Sequence, residues 1–344
     1  MMNLNKLFLH LAGIILTGVI LIFAKSFLIP LAYSFLIALV LYPVTAYLER
    51  KKFGTLLSII IPLLLVCVVF GGLLALLIYE TVILSGNWPL LQEKLNLVFN
   101  DLQRELESEF GWSSSAQLAW ATESLQKLTQ NVGAIIQETF RLTFEAIFNL
   151  IIIPIYVSLI LAYRRKLIQL VSDLTPEKYR SKVPGVIQET VSMYSKFIRG
   201  MVLVYITVGV LNTIGLFFLG VEKAIVFGMV TAFMTIIPYF GIIISALLPI
   251  SISWLNTGQI WQPLGVVGVF SLVQYLEANL IFPYVVGKQV NINTFAAILA
   301  IFIGSLIWGV AGMILFLPFV AMFRIFADHF PELKPWAEFL GTKN

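Results

Sequence analysis

Unbroken apolar runs of about twenty residues constrain this chain more than any other feature; they cover 7–24, 27–48, 56–79, 140–163 and 200–219. At 1.5 Å per residue, such a run crosses a hydrocarbon core of about 30 Å as a helix. Backbone groups in hydrocarbon must be paired internally, which leaves helices or a closed barrel. A barrel would alternate apolar and polar residues over strands of about ten, and these runs do not alternate. Composition agrees: 59% of the 344 residues are hydrophobic and 12% charged, too little polar surface for a water-soluble globule. The expected fold is an all-α integral membrane bundle of about 8 membrane segments, two of them broken or re-entrant, with an extramembrane helical insert.

Residues 1–79 hold the first three spans. The first sits where a leader would, but no small-x-small cleavage site follows it. Residues 80–138 leave the membrane as an insert, with Leu91, Leu95, Val98, Leu102 and Leu106 forming the stripe of an amphipathic helix. That stripe fits packing on another helix or a neighbouring subunit better than ligand binding. The fourth span, 139–163, ends in Arg164-Arg165-Lys166 and leads into a basic segment, 164–199, divided by Pro176 and Pro184. A C-terminal membrane core covers 200–327 and a tail 328–344.

Charge sets the orientation. The insert carries Glu80, Glu93, Asp101, Glu105, Glu107, Glu109, Glu123 and Glu138 against three basic residues, whereas 164–199 is dominated by lysine and arginine. The positive-inside rule places the basic segment and the Arg50-Lys51-Lys52 loop in the cytoplasm and the insert outside. Span parity then puts both termini in the cytoplasm. The expected location is the inner membrane of a bacterial cell. The net charge of +4 is a topology signal, and no nucleic acid partner is expected.

Two stretches in the core are too long for one crossing. The first, 224–255, is interrupted by Pro238-Tyr239-Phe240-Gly241. The second, 294–326, carries Gly304, Gly309 and Gly312 near its middle and Pro318 beyond. Proline removes a donor, and glycine lets the chain turn or another helix approach closely. Each stretch is therefore a re-entrant hairpin or a steeply kinked crossing, and interrupted segments of this kind point to a transporter's substrate path.

Between them, the single span 263–282 carries Glu277, which shares a helix face with Gln274. A mid-bilayer carboxylate costs a few kcal/mol and faces a cavity or a partner. Lying toward the end of its span, Glu277 has two roles open to it: a functional site, or a headgroup-level residue paired with Lys288. Asn212 and Thr213 either line the same cavity or bond between helices, and Arg141 with Glu145 fits an interfacial pair. Asp328-His329 reads as a juxtamembrane end. Cys67 is the single cysteine and His10 and His329 the only histidines, so no metal site is expected. No HExxH, GxSxG or nucleotide-binding glycine loop occurs, so neither an enzyme, a cofactor nor ATP-driven pumping is expected.

The ordered motifs Gly220-Val221, Pro238-Tyr239-Phe240-Gly241, Gln274-x-x-Glu277-x-Asn279-x-x-x-Pro283-x-x-x-Gly287-Lys288 and Gly304-x-x-x-x-Gly309-x-x-Gly312 with Pro318 resemble the autoinducer-2 exporter (AI-2E) family of permeases. The resemblance covers nearly the whole chain. It departs at Asn293-Thr294, where members often carry His-Pro. It implies a secondary transporter, a homo-oligomer in membrane lipid, exporting autoinducer-2 or exchanging sodium or lithium for protons.

Three functions stay open. Export of a small polar solute would use Glu277 and Asn279, with Gln274, Lys288 and Asn212 along the path and the Gly and Pro breaks as moving parts. A cation/proton antiporter would want more than one buried acid. A non-transporting scaffold would bind a partner through the acidic insert.

Overall fold

The computed structural model describes residues 4–76, 78–79, 82, 86, 93, 148–237, 240–287 and 291–342. The insert stripe, the Arg141–Glu145 pair, Pro238, Tyr239 and Lys288 lie outside them. Among the described residues the chain is helical and has no strand. Helices α1 (Leu4–Phe23) and α2 (Lys25–Arg50) are followed by α3 (Thr55–Leu76) and by α4 over 148–174. A short turn, α5 (Glu177–Arg180), leads to α6 (Val183–Phe218), α7 (Ala224–Met234) and α8 (Phe240–Thr257). Then come α9 (Trp261–Leu276), α10 (Thr294–His329) and α11 (Lys334–Leu340). The helices, apolar on their outer faces, form a polytopic membrane protein: Phe23, Leu56, Phe218 and Leu306 are all more than two-thirds exposed. Such a surface is stable only against lipid.

The spine is α6. Its 36 residues make a rod of about 54 Å, longer than a bilayer core. The basic stretch up to Arg199 and the apolar run from Gly200 are thus one helix, begun at Pro184 in its first turn. It stops at Gly220, whose φ of 71° lets Val221 N–H donate to Leu216 O at 3.0 Å and Gly220 N–H to Phe217 O at 3.0 Å. That pairing satisfies the last carbonyls of α6 and turns the chain into α7.

Both over-long stretches are hairpins. Helix α7 has 11 residues, about 16 Å, half a bilayer core. The chain then reverses so tightly that a Cβ on Gly241 would lie 3.2 Å from Thr235 N. Helix α8 runs back to the end where α7 began, because α9 starts there: Gln262 Nε2 donates to Leu219 O at 2.8 Å. In α10 the break is Gly309, with φ 59° and ψ −136°. Although Thr294–His329 has the length and apolarity of a spanning helix, it folds back at Gly309 and begins and ends at the same end of the bundle.

The two hairpins enter from opposite ends. The first packs its Phe227 and Leu248 against Leu216 of α6 and Val266 and Phe270 of α9. The second packs Leu315, Ala321 and Ile325 with Tyr194, Phe197, Val204 and Val208 of α6 and Ala32 and Leu36 of α2. A third cluster joins α2, α3 and α4 through Leu41, Leu63, Val157 and Leu161.

Candidate functional site

Glycines set the register of the helices around the spine. Gly215 faces Val269, Leu219 faces Gly265, and Gly200 faces Val285. In each antiparallel pair the two residue numbers total 484 or 485, so Glu277 is level with Val208, midway along the apolar part of α6. Gly209 in turn meets Ala232, and Thr213 meets Gly228. The same extrapolation puts Val208 level with Phe233, the last turn of α7. Glu277 thus lies at the depth where the first hairpin turns, not at a span end.

Its helix is longer than the sequence indicated. The span 263–282 begins at Trp261 and continues through Pro283 to Gly287 in two widened π turns, Glu277–Ile281 and Pro283–Gly287. Pro283 supplies the reason: its ring collides with the carbonyl four residues earlier and it has no N–H to donate, so the ladder shifts by one. Phe282 N–H accordingly donates to Glu277 O, five residues back. Widened turns of this type recur at functional sites because they re-aim side chains.

Glu277 Oε2 is buried and has no hydrogen-bond partner among the described residues. Asn212 is fully buried; its Nδ2 donates to Val208 O at 2.9 Å and its Oδ1 has no partner among the described residues. Tyr205, seven residues before Asn212 and so within about 20° of it on the helix, comes within electrostatic reach of Glu277. This face of α6 lies between the α9-facing face (Gly200, Gly215) and the α7-facing face (Gly209, Thr213). Phe270, two turns before Glu277 on the same face of α9, packs in the cluster of the first hairpin. Two orphan acceptor oxygens therefore sit in the seam where α6, α9 and the first hairpin meet. Acceptors left dry and unpaired are unfavourable by about 1–3 kcal/mol each, a cost a donor-bearing ligand or a cation removes.

The other sequence-derived positions divide. Gln274 is half-buried beside Glu277. Asn279 is exposed, and one N–H of its amide donates back to Tyr275 O at 2.9 Å. Gly241, Gly304, Gly309, Gly312 and the buried Pro318 belong to the hairpins, and Pro283 and Gly287 to the π turns. Thr213 is spent on Gly209 O at 2.8 Å.

Tyr205 went unnoticed in the sequence, and Asn293 was read only as a departure from a motif. Tyr205 is betrayed by its seven-residue spacing from Asn212. Asn293, at the point of departure from the exporter motif, begins α10: its Oδ1 accepts from Ala296 N–H at 2.8 Å while its Nδ2 donates to Phe339 O at 2.6 Å and Gly341 O at 3.2 Å. The tail is therefore clasped to the second hairpin. Asp328 and His329 are also partnered, with Arg324 at 3.4 Å and Glu189 at 3.5 Å.

The family model described as AI-2E family transporter matches residues 11–332. This chain belongs to the AI-2E transporter family. Among its relatives are YrrI and YueF of Bacillus subtilis, both named as transport proteins. YrrI is 25% identical, with 90% of this chain and 88% of YrrI covered; YueF is 26% identical, with 94% and 91% covered. A Halobacillus andaensis relative, named a sodium-lithium/proton antiporter, is 24% identical, with 88% of this chain and 90% of that protein covered.

Proposed function

We propose that this AI-2E protein is a secondary transporter of a small polar solute, with Glu277 as its coupling carboxylate and the first hairpin as the moving element. The observation that carries the proposal is the pair of buried acceptors without a partner among the described residues: Glu277 Oε2, level with the turn of that hairpin, and Asn212 Oδ1, about one turn of α6 further along. A solute rich in hydroxyl donors, such as autoinducer-2, satisfies both oxygens. Protonation of the carboxylate then changes which donors the seam accepts, and that difference in affinity between states is what drives alternation. The basic end is cytoplasmic by the positive-inside rule, the membrane is the bacterial inner membrane, and a homo-oligomer is the expected assembly.

A second reading, sodium or lithium exchange for protons, is favoured by the name of the Halobacillus relative. Oxygen-only acceptors also suit a hard cation. Flux into proteoliposomes separates the two. Autoinducer-2, sodium and lithium are offered one at a time, with and without an imposed pH gradient. Saturable autoinducer-2 flux supports the first reading, and cation flux alone supports the second. Absence of all three from folded, inserted protein contradicts both and favours a scaffold role for the acidic insert.

A further inference from the structure

The basic end of the bundle holds a second polar site, separate from Glu277. Helix α2 runs out there in Glu49-Arg50-Lys51-Lys52, and the apolar run of α4 ends in Arg164-Arg165-Lys166. Arg164 is committed within the protein. Its guanidinium pairs with Glu49, donates from Nη1 to Leu161 O at 2.7 Å, and lies 6.0 Å from the ring centre of Tyr42. That ion pair joins α2 to α4 and cancels its own charge.

Arg50 and Arg165 are placed differently. Both are exposed, and neither makes an ion pair or a side-chain hydrogen bond among the described residues. Together they line a cavity of about 370 Å³ whose remaining wall is Tyr42, Ala46, Ile168 and the Glu49–Arg164 ion pair, with Glu49 Oε1 buried and without a partner among the described residues. The cavity has a size typical of small-ligand sites. It lies where two spans meet the headgroup level, the depth at which basic side chains meet lipid phosphates.

We propose that this cavity binds the headgroup of an anionic phospholipid, with Arg50 and Arg165 holding the phosphate. Guanidinium forks match phosphate oxygens in bidentate geometry. The apolar wall and the outward-facing Val44, Tyr47, Leu159 and Tyr163 give the acyl chains a path along α2 and α4 into the membrane. A free phosphate has the same charge but leaves that apolar path unused. A lipid wedged here ties the N-terminal helices to the helix that feeds the spine.

Native mass spectrometry of the delipidated full chain tests this, with phosphatidylglycerol and phosphatidylcholine titrated separately and inorganic phosphate as competitor. Phosphatidylglycerol binds preferentially, and R50A/R165A weakens it roughly thirtyfold, about fivefold for each arginine. R50K/R165K keeps the charge but loses the fork, and binds between wild type and R50A/R165A, which separates lost attraction from lost folding. Equal occupancy by the two lipids overturns the proposal, as does unchanged phosphatidylglycerol binding in R50A/R165A. Inorganic phosphate that binds alone and displaces the lipid at comparable concentration overturns the lipid assignment in favour of a soluble anion.

Discussion

Gly304 and Gly312, eight residues apart in one helical run, touch backbone to backbone: a Cβ on Gly312 would stand 3.0 Å from Gly304 Cα. In a continuous helix they would be about 12 Å apart. The fold-back at Gly309 brings them together, with Phe316 against Gly304 and Trp308 packed edge-on to Phe316 at 5.5 Å. Trp308 also donates from Nε1 to Leu21 O at 2.8 Å, fixing the hairpin tip to α1. Gly312→Ala forces two backbones apart, an overpacking cost of about 1–3 kcal/mol. Thermal unfolding in detergent checks this, and an unchanged midpoint contradicts the backbone contact.

At the tip, Gly309 differs from its neighbours because nothing lies within 4 Å of where its Cβ would be. Space is therefore no obstacle to Gly309→Ala. The backbone is the obstacle, since φ 59° with ψ −136° is a conformation only glycine enters freely. A loss of about 1–3 kcal/mol is expected from conformation alone. If Gly309→Ala unfolds like wild type, the tip does not hold this conformation.

Asn293 tests the tail clasp. Replacement by alanine removes an N-cap worth about 1 kcal/mol together with both donations to the tail carbonyls. Proteolysis of residues 334–342 should accelerate severalfold while the membrane core stays intact. No acceleration would mean that the backbone contacts, Asn293 N–H to Leu340 O and the Ile292–Gly341 bridge, are sufficient.

The tail latch also responds to acid. Tyr179 OH donates to Glu332, and this hydrogen bond, its own backbone amide and the ammonium groups of Lys178 and Lys182 hold the carboxyl below its usual range, against a smaller opposing effect of burial. Lys178 is in turn held above its usual range, chiefly by its contact with Tyr179 and then by the charge of Glu332. A carboxylate with a lowered folded-state pKa contributes stability that is present above its ordinary value near 4.3 and lost as pH falls through the lowered one. Tail protection against proteolysis should therefore fall below about pH 4.3 in wild type. Glu332→Gln should remove that step; a step of the same size in this variant assigns it to another group.

The sequence showed much of this architecture but not all of it. Over-long apolar stretches with central Pro or Gly announce a break, yet a kink and a reversal leave the same signature. What decides between them is the backbone angle at Gly309 and the closeness of Met234 to Gly241, neither of which hydropathy reports. The depth of Glu277 was obscured because Phe282-Pro283 reads as a helix end, whereas π turns absorb the proline and carry the span to Gly287. Asn293 stood out only as a departure from a motif, because a clasp across the 46 residues to Phe339 leaves no local pattern. Tyr205 and Asn212 share a face of α6 through a seven-residue spacing, a signal that the sequence carried but that was not read from it. That this face looks toward Glu277 depends on glycine contacts between three helices.

Glu277→Gln, compared with wild type in proteoliposomes under an imposed pH gradient, tests the central claim most directly. The substitution keeps the shape and removes the charge. Gradient-driven flux of whichever solute the wild type carries is predicted to fall at least about tenfold, the range seen when a proton-transferring group is lost. Wild-type flux and wild-type gradient dependence in folded, inserted Glu277→Gln protein would contradict the claim that this carboxylate couples transport.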